Sequence, residues 1–480
     1  MDPSFLPAWR LAELTRAGKI GCLELLDHFI ARTERFDARL NAVVVHDFER
    51  ARQRAKALDQ GARAEGGPLF GVPMTVKESF DVAGLPTTRG HAELRDHRAE
   101  QDALAVERLV RAGAVVFGKT NVPVDLADWQ SYNPLYGTTS NPWDVARTPG
   151  GSSGGSAAAC AAGLAGLELG SDIGGSIRVP SHYCGLFGHK PTWNLVPLRG
   201  TAPTDIGAVT DIAVSGPLAR SAQDLAIAMT VLAGPDAAET GVAVTLPPPR
   251  TTRLAEMRFA VWAEEPGQPT DPETVALIGQ LADHLAQQGA TVSRRARPAF
   301  DPADAYRLFL TLLDCAWSGR LTEAQIAERR AAQAQLSPDN SSADAVMLRA
   351  VDLPHRDWLK LNERRLVIRR AWSAFFRDWD VLLCPVIATP ALPHMQQGAT
   401  WERRMTVDGQ IIAYNDMLFW PGLIGGFHLP ASVAPLGRSQ GGLPIGVQIA
   451  GPIGGDRTTI AAAAALEANW RAFTPPPGFA

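Results

Sequence analysis

Two segments rich in glycine and serine constrain this chain more than any other feature. They run from Pro149 to Ser156 and from Ser171 to Ser176, and 24 positions separate Ser152 from Ser176. Glycine beside serine lets the backbone adopt positive φ angles and expose its N–H groups. Such loops can hold a serine nucleophile together with the donors that stabilise an oxyanion. The sequence therefore predicts the active centre of a serine hydrolase.

The rest of the chain alternates between helical and strand-like patterns. An amphipathic pattern over 102–112 precedes a β-branched run at 114–117, and the same order recurs at 156–169 and 274–292. Residues 7–60 read as three helices, and residues 300–380 read as mainly helical. This alternation predicts an α/β fold, an α/β/α sandwich whose central mixed β-sheet is covered by helices on both faces.

Composition excludes several classes of function. The 480 residues carry 46 Lys+Arg against 50 Asp+Glu, which gives no reason to expect nucleic acid or an anionic membrane as partner. The five cysteines are scattered and never form a C-x-x-C motif, which favours free thiols and a cytoplasmic protein.

The start of the chain lacks a signal-peptide pattern. The most apolar stretch, 157–170, is short and contains Glu168, so no membrane span is expected. No cluster has metal-ligand spacing, and neither a metal nor another cofactor is expected.

Two motif matches are rejected on their context. Residues 113–120 fit the phosphate-loop formula G-x-x-x-x-G-K-[ST], but the intervening residues are strand-like and a helix precedes them. Residues 151–155 fit the G-x-S-x-G elbow of α/β-hydrolases, which requires an apolar strand immediately upstream. The preceding residues, 147–150, include proline and glycine and cannot supply that strand. Neither a phosphate loop nor a Ser-His-Asp hydrolase is predicted.

Lys77 is a candidate base for such a serine. It ends an apolar segment, 72–76, whose burial could hold the amine neutral by lowering a pKa that is normally about 10.4. A neutral lysine can take the proton of a hydroxyl nucleophile. From the residues alone, a catalytic base and an ordinary lysine at a strand end remain equally open.

Taken together, the motifs resemble those of the amidase signature family along essentially the whole chain. The segment that carries most of the resemblance is Asp172-Ile173-Gly174-Gly175-Ser176-Ile177-Arg178-Val179-Pro180. Around it lie further matching motifs, in the family's order: 71–73 with Lys77-Glu78, 118–121, 141–144, 149–156, 184–185, 190–192, 215–217 and 443–448.

The resemblance implies a role for each of these residues. Ser176 would be the nucleophile, Ser152 the bridging serine next to a cis peptide bond, and Lys77 the terminal base. The oxyanion hole would be formed by the backbone N–H groups of Ile173, Gly174, Gly175 and Ser176.

Further residues are expected to support the site. Arg178 is expected to brace the nucleophile loop through Asp172. Ser153 is expected either to hydrogen-bond within the catalytic network or to cap the following helix. By the same resemblance, the segment 126–133, which includes Gln130, Ser131 and Tyr132, is expected near the substrate pocket.

The resemblance also implies one amidase signature domain over 1–480. Its parts are N-terminal helices at 1–65, a catalytic core at 66–235 and 380–480, and a variable, mainly helical region at 240–380 that builds the substrate pocket. A second autonomous domain beginning near 250, after the proline run 247–249, is the alternative.

The predicted function is hydrolysis of carboxylic amide C–N bonds, with esters or carbamates as further substrates. Aromatic and aliphatic residues over 300–420 favour an apolar or aryl substrate, although the same residues are also typical of a plain core. The alternative is the glutaminase subunit of a tRNA-dependent amidotransferase. A scaffold without chemistry is disfavoured because Lys77, Ser152 and Ser176 are all present. The expected partner is a small-molecule amide substrate, and the expected assembly is a homodimer.

Overall fold

The computed structural model describes residues 2–61, 66–201, 209–236, 244–319 and 321–479. The α-helices in these ranges are α1 (Ala8–Arg16), α2 (Cys22–Phe36), α3 (Phe48–Gln60), α4 (Leu104–Arg111), α5 (Gly154–Ala161), α6 (Arg178–Cys184), α7 (Ala222–Leu232), α8 (Pro272–Gln287), α9 (Pro302–Ser318), α10 (Glu323–Ala334), α11 (Ala343–Leu348), α12 (His355–Asp378), α13 (Phe419–Gly425) and α14 (Asp456–Asn469).

The strands in the described ranges are β1 (Val43–His46), β2 (Pro73–Lys77), β3 (Val115–Thr120), β4 (Tyr132–Asn133), β5 (Gly137–Thr138), β6 (Leu167–Asp172), β7 (Phe187–Lys190), β8 (Val214–Ala219), β9 (Arg258–Val261), β10 (Thr291–Ser293), β11 (Val381–Pro385), β12 (Arg404–Val407), β13 (Gln410–Ala413), β14 (Ala431–Arg438) and β15 (Pro444–Ala450).

Eleven of these strands form one mixed sheet, in the order β1-β3-β2-β6-β8-β7-β14-β15-β11-β9-β10. Strand β2 runs parallel to both β3 and β6, and β9 runs parallel to β10 and β11. The pairs in the middle of the sheet, from β6–β8 to β15–β11, are antiparallel. The pairs β4–β5 and β12–β13 form two small separate sheets.

The sheet is buried on both faces, because successive side chains of a strand point in opposite directions. In β11, Val381 and Leu383 belong to one core cluster, whereas Leu382 and Cys384 belong to another. Helices α1–α4, α7, α8 and α14 contribute to the first cluster, and α6, α9, α12 and α13 contribute to the second. This arrangement confirms the predicted sandwich with a central mixed sheet.

The middle of the chain contributes more to the sheet than its helical pattern indicates. Strands β9 and β10 lie within the region predicted to be mainly helical, and they form one edge of the large sheet. The helices that follow them begin at Asp-Pro pairs, where the Asp271 and Asp301 side chains accept hydrogen bonds from the first turns of α8 and α9.

Two neighbouring parallel strands position the candidate site. Lys77 is the last residue of β2, and Asp172 is the last residue of β6. Because the carboxyl ends of parallel strands meet at the same edge of a sheet, the loop after β6 lies beside Lys77. The other glycine-serine loop leads into α5, which precedes β6. The phosphate-loop match, in contrast, falls on β3, a fully buried strand.

Among the described residues, none of the helices combines the length and the apolar character needed to cross a bilayer.

Candidate active site

Lys77 contacts both glycine-serine loops, with its amine directed at two hydroxyl groups. Its Nζ lies 2.7 Å from Ser152 Oγ and 2.8 Å from Ser171 Oγ. It also donates to the carbonyl oxygen of Ser171 over 3.4 Å. Every residue of β2 is buried, and Lys77 itself is 0% exposed. The lysine is therefore an internal residue with defined polar partners and not a surface residue at a strand end.

The surroundings of Lys77 favour its neutral form. Burial lowers the pKa of its amine well below the usual value, because a charged ammonium loses its hydration there. The negative charge of Asp172 opposes this shift, and the positive charge of Arg89 adds to it. A neutral amine can accept a proton from the serine it contacts.

Ser152 lies in a loop that only glycine neighbours permit. The Gly151–Ser152 peptide bond is cis, at the position where the family resemblance implies a cis bond. Gly150 has a φ of 91°, and a Cβ on Gly151 would lie 2.5 Å from the carbonyl oxygen of Asp128. A larger residue at either position would displace the backbone that holds Ser152.

Ser176 lies on the loop between β6 and α6, whereas Ser152 lies on the other glycine-serine loop. The Ser153 N–H donates to the Ser176 carbonyl over 3.2 Å, which connects the two glycine-serine loops. Ser152, Ser171 and Ser176 all line one cavity of about 60 Å³. Within the described residues, the Ser176 hydroxyl has no hydrogen-bond partner, and it is accessible from this cavity.

The nucleophile loop is fixed by a buried ion pair between Asp172 and Arg178, whose side chains are both 0% exposed. Arg178 binds Asp172 through Nε at 2.9 Å and Nη2 at 2.8 Å, and Nη1 reaches Gln448 Oε1 at 2.7 Å. Burial alone would raise the pKa of Asp172, but the charge and hydrogen bonds of Arg178 hold it well below its usual range. Arg178 thus contacts the loop through the Asp172 carboxylate.

The four backbone N–H groups expected in the oxyanion hole are not equivalent. The Gly175 N–H donates to Asp172 Oδ1 over 2.9 Å, so it is already occupied. The N–H groups of Ile173, Gly174 and Ser176 have no hydrogen-bond acceptor in the part of the chain that the structure describes. Three of the four amides therefore remain available to an anion, and Asp172 uses the fourth to fix the loop.

Ser153 belongs to the polar network and does not cap the following helix. Its Oγ donates to the Ser171 carbonyl at 3.2 Å and accepts from the Ser171 N–H at 3.3 Å. Helix α5 has no side-chain hydrogen bond from Ser153 at its first turn. Of the two expectations for this residue, the structure favours the network.

The three expected pocket residues lie beneath the loops and not on the described cavity wall. Gln130 binds the backbone of Met395 through both its amide atoms, at 2.8 and 2.9 Å. The Ser131 hydroxyl accepts from Gly154 N–H at 3.0 Å, and Tyr132 accepts a hydrogen bond from Arg403. None of the three is among the described residues that line the cavity. Their polar side chains satisfy neighbouring backbone and side-chain groups.

Other residues take the place of those three on the cavity wall. The described lining residues not discussed above include Arg89, Asp125, Leu126, Leu198, Thr201, Thr210, Ala213, Val214 and Trp317. Ser171 was also missed as a partner of Lys77, although it directly precedes Asp172 in the motif. Arg89 and Trp317 lie far from that motif in sequence, and no local pattern marks them.

Comparison with known proteins places the chain in a family. The family profile described as Amidase matches residues 24–460. An indoleacetamide hydrolase of Bradyrhizobium diazoefficiens is 31% identical over 96% of this chain and 87% of its own length. An acylamidase of Rhodococcus erythropolis is 30% identical, with 97% of this chain and 95% of the relative covered. One component of the glutamyl-tRNA(Gln) amidotransferase of Moorella thermoacetica is 31% identical, with 97% of each chain covered.

The fold comparison agrees with the sequence comparison. The crystal structure of a bacterial aryl acylamidase, described as an amidase signature enzyme, superposes with a TM-score of 0.80 and 25% sequence identity, covering 97% of this chain and 96% of the other. Because the match extends over nearly the whole length, it includes both glycine-serine loops and the strand that carries Lys77. The chain belongs to the amidase family, and it is a hydrolase that acts on carboxylic amide C–N bonds.

Proposed function

We propose that this enzyme hydrolyses amides through an acyl-enzyme on Ser176, with Ser152 as the proton relay and Lys77 as the base. The observation that carries the proposal is the buried contact of 2.7 Å between Lys77 Nζ and Ser152 Oγ, beside the accessible hydroxyl of Ser176. A serine nucleophile needs a base within reach, and no other group with suitable chemistry contacts these two serines in the described residues.

Acylation begins with attack of Ser176 Oγ on the amide carbonyl carbon. The hydroxyl proton of Ser176 passes to Ser152 Oγ, and the hydroxyl proton of Ser152 passes to neutral Lys77. The C–N bond then breaks as the leaving nitrogen takes a proton back from the same relay. The amine departs, and Ser176 holds the acyl group as an ester.

Deacylation reverses these roles with water. The relay removes a proton from a water molecule, whose oxygen attacks the acyl carbon and releases the carboxylic acid. The proton returns to Ser176 Oγ, and Lys77 ends the cycle neutral, as it began.

The oxyanion of each tetrahedral intermediate would be bound by the N–H groups of Ile173, Gly174 and Ser176. One such donor typically lowers the barrier by about 2.7–4 kcal/mol. Asp172 accepts from the Gly175 N–H and thereby fixes the orientation of the neighbouring peptide units. Trp129 adds a hydrogen bond of 3.1 Å from its indole N–H to the Gly174 carbonyl.

The mechanism predicts activity on amides and, with the same acylation chemistry, on esters and carbamates. The cavity wall includes the aliphatic residues Leu126, Leu198 and Val214 and the aromatic residue Trp317. Such a wall suits the carbon skeleton of an acyl group or an aryl amine. The relatives named as an indoleacetamide hydrolase and an acylamidase also act on amides, as their names state.

A panel of primary amides and anilides, with ammonia or arylamine release as readout, tests the function. We expect turnover by the wild-type chain and loss of turnover in Ser176→Ala. Added hydroxylamine should divert the acyl group into a hydroxamic acid, because it competes with water for an acyl-enzyme. Turnover that persists in Ser176→Ala, or an absence of hydroxamate, would contradict the acyl-enzyme.

The glutaminase component of an amidotransferase is the second candidate, because one relative of equal identity belongs to such a complex. The two functions differ in what the isolated chain can do. A stand-alone amidase turns over simple amides without partners, whereas an amidotransferase component works within its complex. Robust turnover by the purified chain therefore supports the first function, and activity only with added tRNA-binding components supports the second.

A further inference from the structure

An indole side chain reaches the nucleophile loop from an earlier part of the chain. Trp129 donates its Nε1–H to the carbonyl oxygen of Gly174, 45 positions later, over 3.1 Å. The same peptide unit is held at its other end, where the Gly175 N–H donates to Asp172 Oδ1 over 2.9 Å. Both polar groups of the peptide unit between Gly174 and Gly175 are therefore engaged, one from within the loop and one from outside it.

This peptide unit has little conformational restraint of its own. Glycine stands on both sides of it, and without a Cβ the rotation of the unit is sterically cheap. Gly175 has a φ of 109°, a value that residues with a side chain rarely adopt. The neighbouring peptide units carry the N–H groups of Gly174 and Ser176, and they share the Cα atoms of this one. The orientation of the unit therefore affects where those two donors point.

Buried contacts fix the position of Trp129. The residue is 6% exposed, and its ring lies 5.4 Å from the ring of Tyr414. The preceding residue, Asp128, accepts a hydrogen bond of 2.7 Å from the Tyr414 hydroxyl and pairs with Arg403 at 2.6 Å. The side chains of Asp128 and Arg403 are both buried. Tyr414 thus contacts Trp129 and the residue before it, which limits the positions that the indole N–H can take.

The backbone of the same segment packs against the other glycine-serine loop. A Cβ on Gly151 would lie 2.5 Å from the Asp128 carbonyl oxygen and 2.7 Å from the Trp129 carbonyl carbon, so only glycine fits at this contact. The segment that carries Trp129 therefore contacts the loop of Ser152 through its backbone and the loop of Ser176 through its indole.

We propose that Trp129 is a positioning residue of the oxyanion hole, which holds the peptide unit after Gly174 in the orientation that aims the neighbouring N–H groups at the oxyanion. This inference rests on the proposed function, because it assigns a role within the same acyl transfer. Trp129 acts through the Gly174 carbonyl, and it is not among the described residues that line the cavity. The donors of an oxyanion hole act through their fixed orientation, and misplacement by about 1 Å can lower a rate about 10²-fold.

This role predicts a loss confined to states with negative charge on the former carbonyl oxygen. The neutral carbonyl of a bound amide depends little on the donors, whereas the tetrahedral intermediate depends on them strongly. Trp129→Phe removes the indole N–H and keeps an aromatic ring. We expect it to lower kcat on a neutral anilide about 10- to 100-fold, with KM changed less than about threefold.

Two ketones of the same carbon skeleton separate the neutral and the charged state. Ser176 Oγ adds to the carbonyl carbon of a trifluoromethyl ketone, the electron pair of the C=O bond moves to the oxygen, and the serine proton passes to the relay of Ser152 and Lys77. The product is a hemiketal with an anionic oxygen. The corresponding methyl ketone is far less electrophilic and binds mainly as the neutral ketone. The ratio of the two inhibition constants, methyl over trifluoromethyl, therefore measures stabilisation of the oxyanion.

Trp129→Phe should lower this ratio about 10- to 100-fold relative to the wild type. Tyr414→Phe removes the hydroxyl that binds Asp128 but leaves Trp129 its N–H, and it should lower the ratio less, about 2- to 10-fold. Trp143→Phe is the matched control, because Trp143 Nε1 donates to the Cys184 carbonyl over 3.0 Å, at the opposite end of α6 from the nucleophile loop. This control should leave the ratio as in the wild type.

A ratio that Trp129→Phe leaves unchanged would overturn the proposal, as would an equal fall in Trp143→Phe. A purely structural role of the indole would weaken the binding of both ketones equally and so leave the ratio unchanged. If Trp129→Phe does not fold, Tyr414→Phe decides the question, and an unchanged ratio in that variant would also overturn the proposal. Failure of the proposed function is distinguishable, because Ser176→Ala would then have the same ratio as the wild type.

Discussion

Lys77 and Ser152 share a hydrogen bond of 2.7 Å in the interior of the protein, with 0% and 1% of the two residues exposed. The lysine lies at the end of a buried strand, and the serine lies 75 positions later in a glycine loop. The contact depends on the parallel pairing of β2 and β6, which brings the end of the strand to the loops. The base and its serine are therefore brought together by the sheet and not by proximity in the sequence.

Removing either partner should slow catalysis strongly without unfolding the enzyme. We expect Ser152→Ala and Lys77→Met to lower kcat/KM about 10²- to 10⁴-fold, the contribution typical of general acid–base catalysis. The double variant should lose about as much kcat/KM as each single variant, because the two residues act in one relay. Multiplicative losses in the double variant would contradict a shared relay.

The acid limb of the pH–activity profile should report the protonation of Lys77. Activity requires the neutral amine, so it should fall as pH decreases through the lowered pKa of Lys77. The positive charge of Arg89 contributes to that lowering, so Arg89→Met should move the acid limb to higher pH. The profile is measured as kcat/KM on a neutral amide. Lys119→Met is the control, because Lys119 is equally buried on the adjacent strand but is not among the described cavity residues. A limb that moves to lower pH in Arg89→Met would contradict the assignment.

The buried pair between Asp172 and Arg178 should be structurally indispensable. Arg178→Met leaves a carboxylate at 0% exposure without its partner, and breaking such a pair typically costs about 3–5 kcal/mol. Urea denaturation should show a correspondingly lower midpoint. Arg330 pairs with Asp352 on the surface, and Arg330→Met should leave the midpoint nearly unchanged. Equal effects of the two substitutions would contradict the structural role of the buried pair.

Lys190 should make stability depend on pH. Burial lowers its pKa to about 7, the charge of Arg178 adds to this effect, and Asp172 and Asp456 oppose it. The unfolded chain binds the proton up to its ordinary pKa of 10.5, so the cost of burying the charge is full below about pH 7 and is relieved between pH 7 and 10.5. Lys190→Met removes this contribution. The difference in Tm between variant and wild type should therefore be largest at pH 7 and should shrink toward pH 10. A difference that stays constant over this range would contradict the contribution assigned to Lys190.

Much of the fold was predictable because its signals are local. Helix α4 followed by β3, and α8 followed by β10, appear in the sequence as an amphipathic pattern and a β-branched run. The three N-terminal helices were also predicted. Strand β1, four residues between α2 and α3, was missed, since a short antiparallel edge strand has no periodicity of its own. Strand β9 is not predictable for a different reason: its pairing with β11 joins residues more than a hundred positions apart.

The same distinction applies to the site: local motifs mark some of its residues, whereas other features depend on contacts between distant parts of the chain. Motifs in the sequence point to Lys77, Ser152 and Ser176. In the structure, Lys77 contacts Ser152, and Ser152 and Ser176 line one cavity. The engagement of the Gly175 N–H by Asp172 was not predictable, because it depends on the rotamer of one carboxylate. The analogy predicts Gln130, Ser131 and Tyr132 near the pocket. Their side chains bind neighbouring backbone and side-chain groups, whereas Leu126 of the same segment lies on the cavity wall. The place of Arg89 on the cavity wall is not predictable from the sequence, because it depends on contacts with the loop carrying Asp125.

The identity of the nucleophile is the central claim, and covalent labelling tests it most directly. The enzyme is treated with a fluorophosphonate, digested and analysed by peptide mass spectrometry, with Ser176→Ala and Ser171→Ala treated in parallel. We expect one adduct, on Ser176, which is absent in Ser176→Ala and still formed in Ser171→Ala. An adduct on Ser152 or Ser171 in the wild-type enzyme, or none on Ser176, would contradict the claim.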